Sequence, residues 1–435
     1  MISGAALAAV TGFTTGAETS LASVTVGPRL ARTGCDTLVI LFLRGGADGL
    51  NIIIPFGDEH YYRLRPNLAL PAPSDRTMSV SSRAINLDGF YGLHPSLAPL
   101  LPLYLEGKFA AVHAVGSGDH TLSHFQAMAT MERGLYRDSG AASGWLARHL
   151  NATASDEDSP LRAVALTDTM PDTLRGANSA AALTTLTDFR LIIPEMPTGS
   201  DGKAHHNPFK GAHAMTECLK TLYKGDTSSS PQEANLARGG AETLRAMDTL
   251  KGVTSRPYHP DFGAKYPKGS TGHALQQVAC LIKAGVGLET AFLNVEGWDT
   301  HVAQGRDTGW QPSRLSILGT ALSAFSLDIG VHLDHTTIVV MTEFGRRAYE
   351  NTGLGTDHGR ASCMLILGGG VQGGKVYAKW PGLDDQHLVL GGDLHVTTDY
   401  RDVLAEILSR RLRNSSMTSV FPDFIPHPLG ITRSG

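Results

Sequence analysis

The sequence predicts an α/β fold built on a mostly parallel sheet flanked by helices. Short apolar runs end in glycine-rich turns, and segments with apolar residues at helical spacing separate them. Strand, loop and helix in alternation is the pattern of a doubly wound sheet. The 435 residues, 42% of them hydrophobic and 18% charged, suffice for two or three domains or for one large domain with insertions.

The first strand is Thr37 to Leu43 (TLVILFL), apolar at every position, as a strand buried on both faces should be. It stops at Arg44-Gly45-Gly46-Ala47-Asp48-Gly49, which puts Asp48 at a strand's carboxyl end, where open α/β sheets place their ligands. Phe109 to Val115 leads likewise into Gly116-Ser117-Gly118-Asp119, and Thr290 to Val295 into Glu296-Gly297-Trp298-Asp299. Thr337 to Met341 leads into Thr342-Glu343-Phe344-Gly345, and Cys363 to Leu367 into Gly368-Gly369-Gly370. Helices are expected over Pro95 to Leu105, Ser123 to Met131, Leu275 to Ala284, Arg314 to Leu327 and Arg401 to Leu412. The stretch from about 150 to 260 is rich in Ser, Thr, Asp, Gly and Pro. It reads as an irregular insertion or cap, helical around Ala214 to Leu222 and Pro231 to Leu250.

Composition excludes several classes of function. With 37 Lys+Arg against 41 Asp+Glu there is no basic excess for nucleic acid. No run of eighteen apolar residues suggests stable membrane insertion. The four cysteines, Cys35, Cys218, Cys280 and Cys363, lack the spacing of a disulfide scaffold or a thiolate metal site. Residues 1 to 34 read as a leader: Ala-rich like the later part of an export signal, with no Lys or Arg before Arg29. One domain is expected over 35 to 425, with a tail over 426 to 435.

The chemistry lies in five loops: that of Asp48, Gly118 to His124, Trp298 to His301, Thr342 to Arg346, and Thr356 to Gly359. If they share one sheet edge, carboxylates and imidazoles converge in the composition that borderline divalent metals need. Asp299 and His301, two apart in an extended segment, share a face. Of Asp357 and His358 only one can point inward; His358 is the expected ligand and Asp357 its supporting partner, unless both serve a glycine turn. Ser123 or Thr121 stands before a helix, where free N–H groups stabilise an oxyanion. Either is a candidate nucleophile, and either could simply cap the helix. The glycines after Leu367 lack the Lys-Ser/Thr continuation of a phosphate loop and read as a plain turn.

FLRGGADGLN, PFGDEHYYRLRPNLAL, LDGFYGLHPSLAPLLPLY, VHAVGSGDHTLSHFQA, GWDTH, TEFGR, GTDHGR, LGGGVQGGKVY and TTDYRDVLAEIL, in this order between residues 36 and 425, carry a resemblance. Together they resemble the bacterial family catalogued as domain of unknown function 1501. That family looks like a branch of the alkaline phosphatase and sulfatase superfamily, and its members commonly start with a twin-arginine export signal. The resemblance implies an alkaline-phosphatase-like sandwich in an exported protein. It would make Asp48 the first metal carboxylate, Ser123 or Thr121 the nucleophile, and Asp299, His301 and His358 ligands of one metal. Glu343 would be the carboxylate of a second metal. Glu343-Phe344 stands where phosphatases carry an Asp-His pair, so one metal and an asymmetric pair are both open.

His113, His124, Arg44, Arg346 and Arg360 stand near the same loops. His124 and Arg346 are the expected contacts to an oxyanion or leaving group, since arginine's planar fork suits phosphate and sulfate. The leading expectation is a metal-dependent hydrolase of phosphate or sulfate esters, holding zinc, manganese or calcium and acting on a small-molecule or carbohydrate ester. Asp299, His301 and His358 also suit a non-haem iron oxidase or oxygenase. The third alternative is an exported binding protein without catalysis.

Overall fold

The computed structural model describes residues 23–25, 36–135, 142–155, 158–189, 208–223 and 230–433. In chain order the strands are β1 (Ser23–Thr25), β2 (Thr37–Leu43), β3 (Ile53–Ile54), β4 (Ile85–Asn86), β5 (Gly92–Leu93), β6 (Phe109–Gly116) and β7 (Ala163–Leu166). They continue with β8 (Ala180–Ala182), β9 (Thr290–Val295), β10 (Thr336–Thr342), β11 (Ser362–Gly368), β12 (Val376–Tyr377) and β13 (Thr398–Asp399). A ten-stranded sheet runs β1-β8-β7-β9-β2-β10-β11-β6-β12, with β13 also on β6, while β3, β5 and β4 form a small separate sheet. The fold is therefore α/β, with a large mixed, mostly parallel sheet between helices.

The continuous apolar runs are explained by what covers them. Val39, Leu41 and Leu43 of β2 enter a core with Leu275, Val278, Leu315 and Leu322 of helices Ser270–Lys283 and Trp310–Ile329. The alternate residues Leu38, Ile40 and Phe42 pack on the other face with Trp145, Leu146, Val403 and Ile407 of helices Trp145–Ala152 and Tyr400–Arg410. Period-two alternation thus feeds two cores instead of a core and solvent. Trp310–His335 is the one described helical segment long and apolar enough to cross a membrane, and 56% of its most apolar window is buried inside the protein.

Register sets up the site. Leu43 pairs with Val295 on one side and Thr342 on the other, so β2, β9 and β10 end at the same level. β11 runs antiparallel to both neighbours, which restores β6 to the direction of β10. The edge where β2, β6, β9 and β10 end is therefore where β11 begins. The five polar loops share it, because the Thr356–Gly359 loop precedes β11. The Gly368-Gly369-Gly370 turn lies at the opposite edge, where Gly369 N–H bonds the carbonyl of Leu333.

Two boundaries differ from expectation. β7 and β8 fall inside the stretch read as an insertion, yet both belong to the main sheet, with β7 parallel to β9. Their sequences, AVAL and AAA, are mostly alanine, with Val164 the one β-branched residue, and the neighbouring strands recruit them. Ser23–Thr25, inside the presumed leader, pairs antiparallel with β8 at the sheet's edge. Most of the rest of that leader lies outside the described residues.

Candidate metal centre

Each loop at the edge places one or two polar side chains, held by backbone contacts that leave little slack. Gly45, with φ +121°, lies so close to the next loop that a Cβ would overlap the Asp299 amide. Only glycine lets the β2 and β9 loops approach in this way. Leu122 has φ +43°, a strained left-handed conformation, and its carbonyl accepts a hydrogen bond from His358 Nδ1 at 2.9 Å.

His124, Asp299 and His358 are brought together: one ligand atom from each lies within 4.8 Å of the others, so the three could hold a metal ion. His301 extends the set, its Nε2 lying 2.9 Å from His358 Nε2 and 3.1 Å from Asp299 Oδ1. His358 Nε2 is 3.3 Å from the same carboxylate oxygen, and His124 Nε2 is 3.6 Å from Asp299 Oδ2.

The other ring nitrogen of each histidine is tied to an acceptor. His124 Nδ1 lies 2.8 Å from Glu343 Oε1, and His301 Nδ1 lies 2.9 Å from Asp357 Oδ1. His358 Nδ1 faces the Leu122 carbonyl. An ionised carboxylate and a carbonyl can only accept, so each Nδ1 carries a proton, and in the neutral form of each ring Nε2 presents a lone pair. Two such lone pairs, those of His301 and His358, face each other, and His124 Nε2 is buried with no hydrogen-bond partner. Three converging lone pairs beside a carboxylate repel one another unless a cation or a proton stands among them. Carboxylate and carbonyl partners behind the rings are the usual support of metal-bound histidines. The donor set fits a divalent ion that accepts nitrogen and oxygen ligands.

Before any cation enters, electrostatics treat the rings differently, favouring a protonated His124 and a neutral His358. The hydrogen bond to Glu343 holds His124 above the ordinary histidine range against the opposing effect of burial. Burial, helped by the charge of Arg346, holds His358 below that range and so unprotonated. Burial works to raise Asp299, but the hydrogen bond and charge of Arg346, with His301 and His358, outweigh it and keep the carboxyl lowered. Burial likewise opposes ionisation of Glu343, and hydrogen bonds, first that of His124, reverse the balance. Asp357 is lowered by the hydrogen bonds of His301 and then Asn351.

Several assignments change. Asp48 reaches the shared edge but does not join the cluster. Its carboxylate is fully buried and bonded to Arg65 at 2.5 and 3.0 Å, with Gln304 Nε2 at 2.7 Å. Both oxygens are taken, so it is a buried ion-pair partner and no free metal carboxylate. Glu343 stands behind His124, receiving Gly45 N–H and the Thr342 hydroxyl as well, which leaves nothing around it for a second metal. Arg346 is not an oxyanion contact. It is buried, donating to the carbonyls of Gly45, Gly46 and Thr356 and to Asp299 Oδ1 at 2.6 Å. Arginine has five donors and no acceptor, so a loop junction full of carbonyls consumes it.

His124, expected to touch an oxyanion, stands in the ligand cluster. The Thr121 hydroxyl is exposed and bonds Asp119 at 3.2 Å inside a tight turn. Ser123 occupies the N-cap of helix His124–Arg133, yet its hydroxyl makes no cap hydrogen bond. His113 is a structural residue: its Nε2 bonds the Ile53 carbonyl and its Nδ1 accepts from Ala114 N–H.

Sequence reasoning missed Arg65, Asn351 and Gln304. Asn351 donates to Asp357 and to the His301 carbonyl, joining the two loops that carry His301 and His358. Nothing local in the sequence announces these partners, which meet across the fold.

Among curated proteins none matches this chain. A family described as Protein of unknown function (DUF1501) matches residues 108–413, a span that holds His124, Asp299, His301, Glu343 and His358 and leaves Asp48 outside. The chain belongs to the DUF1501 family.

Proposed function

We propose that this protein is a metal-dependent hydrolase of phosphate or sulfate esters, with one metal bound by His124, Asp299, His301 and His358. The carrying observation is the convergence of three Nε2 atoms on one carboxylate while each Nδ1 is held from behind. A single centre is favoured because Arg65 and Gln304 occupy Asp48, and His124, Gly45 and Thr342 occupy Glu343. Of zinc, manganese and calcium, zinc or manganese is the proposed occupant, because three imidazole nitrogens do not suit the oxygen-seeking calcium; such an ion would supply Lewis acidity at the transferring group. The mixed sheet between helices, with its loops at one edge, is in keeping with the alkaline-phosphatase-like sandwich that we propose; export is proposed on the family resemblance alone.

Ser123 is the proposed nucleophile in preference to Thr121. Its uncommitted hydroxyl stands at a helix N-terminus beside His124, where free backbone N–H groups favour an oxyanion. Its Oγ forms a bond to phosphorus or sulfur while the ester P–O or S–O bond breaks. The serine proton passes to water, and the departing alkoxide takes a proton from water. A further water then attacks the seryl ester and frees Ser123. Arg346 holds Asp299 in place through this sequence.

The test is turnover of p-nitrophenyl phosphate and p-nitrophenyl sulfate by wild type and Ser123→Ala, with metal content measured on the same samples. Loss of turnover on the order of 10³-fold or more at unchanged metal content is expected. Three imidazoles and one carboxylate also suit iron in redox chemistry. Bound iron, with no ester turned over, would replace the hydrolase reading with that one, and absence of any metal would leave a binding protein.

A further inference from the structure

Of three arginines near the sheet edge, two are committed to the protein. Arg44 bonds Asn294 Oδ1 at 2.8 Å and Glu132 at 2.6 Å, and Arg346 is filled by carbonyls and Asp299. Arg360, two residues beyond His358, differs. Among the described residues its guanidinium makes no hydrogen bond or salt bridge, although its Nε is buried. An arginine cannot shed its charge, and withdrawing one of its N–H groups from water is costly unless an acceptor returns the lost interaction.

Arg360 lines a small pocket with Leu122, Glu343, Phe344 and Gly359. The pocket shares its walls with the metal centre: Leu122 accepts from His358, Glu343 from His124, and the Phe344 ring lies 4.9 and 4.8 Å from those two imidazoles. The acidic groups of the pocket are already engaged. Glu343 accepts hydrogen bonds from His124, Gly45 N–H and the Thr342 hydroxyl, and Asp119, also in the lining, closes a turn onto Thr121. Asp393 feels the charge of Arg360 but accepts no hydrogen bond from it. Among the described residues Arg360 is therefore a cation in the wall of this pocket that makes no direct hydrogen bond or ion pair with the protein.

We propose that Arg360 is the residue that binds the anionic oxygens of the substrate, holding a phosphate or sulfate group in this pocket against the metal centre. The proposal rests on the hydrolase reading and adds the residue that recognises the transferring group. A guanidinium fork presents two parallel donors to two oxygens of a tetrahedral oxyanion, a match that a lysine ammonium cannot reproduce.

Inorganic phosphate and inorganic sulfate, titrated separately by calorimetry into the metal-loaded protein, test it. The samples are wild type, Arg360→Gln, Arg360→Lys and Ser123→Ala, with metal content and melting temperature measured for each. Arg360→Gln should weaken binding of the preferred anion by about 10- to 100-fold, with Arg360→Lys between it and wild type and metal content unchanged. Ser123→Ala, which lacks the proposed nucleophile, is the inactive control whose metal content should match wild type. Equal binding by Arg360→Gln and wild type overturns the proposal, as does a wild type that binds neither anion. If Arg360→Gln does not fold, Arg360→Lys decides, and undiminished binding by it counts against the guanidinium fork. The two readings fail separately. Ester turnover with Arg360-independent anion binding removes this proposal alone, and Arg360-dependent binding without turnover of any ester removes the hydrolase alone.

Discussion

Asp48 and Asp299 follow neighbouring strands at one sheet edge, and their surroundings give them opposite roles. Asp48 is sealed from water and matched by Arg65, whose remaining donors go to Asn51 and to the carbonyls of Arg347 and Ala348. Asp299 keeps a side chain 48% exposed and faces three imidazoles, with Arg346 bonded to one oxygen. A carboxylate that is fully paired in the interior holds loops together. One that is only partly paired, at an open edge, still has an oxygen to offer a ligand.

The largest effect that would break this contrast is on stability. Asp48→Ala leaves Arg65 charged, buried and unpaired, and should cost about 3–5 kcal/mol in urea denaturation of the metal-free protein. Asp299→Ala should change the same quantity by only about 1 kcal/mol, because the Arg346 carbonyl partners remain. Equal costs for the two variants would erase the distinction between them.

Acid should sharpen it next. Buried His94 and His113 are both held neutral at about 4, well below the ordinary 6.5, with burial as the first cause and the backbone bonds opposing it. In each ring Nε2 meets a carbonyl and Nδ1 already accepts a backbone N–H, from Ser96 or Ala114, so a second ring proton has nowhere to go. The unfolded chain takes up these protons first. Their contribution to stability is complete above 6.5 and is lost as pH falls toward 4, on the order of 3 kcal/mol for each. Replacing His113 by Gln should flatten that part of the pH–stability curve of the metal-free protein. An unchanged slope would show that His113 is not held neutral.

A smaller effect belongs to the groups behind the ligands. Glu343→Gln and Asp357→Asn leave the ring nitrogens placed but weaken the acceptors that orient them. Zinc affinity by competitive chelation should fall about 10- to 100-fold in each. Smallest of all, Thr121→Ala removes one exposed hydroxyl bond within a turn and should alter stability by no more than about 0.5 kcal/mol. If Thr121→Ala abolished ester turnover while Ser123→Ala did not, the two hydroxyls would exchange roles.

What could be read from the sequence followed locality. β2, β6, β9, β10 and β11 were evident because short apolar runs stop at turns that contain glycine. β7 and β8 were hidden because short, alanine-rich segments carry little strand preference, and their place comes from pairing, β7 with β9 and β8 with β7. The antiparallel direction of β11 was equally hidden, since a sheet-buried run looks the same read either way.

At the site, the juxtaposition of Asp299 and His301 follows from their two-residue spacing, and the supporting role of Asp357 from its opposition to His358. The commitment of Asp48 to Arg65 was not legible, because the two stand 17 positions apart with the helix Glu59–Leu64 between them. Arg346 illustrates the general difficulty. Its residue type suits an oxyanion equally well, and only the carbonyls of Gly45, Gly46 and Thr356 in three-dimensional space show that its donors are spent.

The most direct test of the metal centre is elemental analysis of purified wild type beside His124→Ala, Asp299→Ala and His358→Ala, with folding confirmed by circular dichroism. About one equivalent of zinc, manganese or iron per folded chain, lost in all three variants, is the predicted result. A wild type free of metal after growth and dialysis with zinc, manganese and iron supplied, or folded variants that keep a full equivalent, would contradict it.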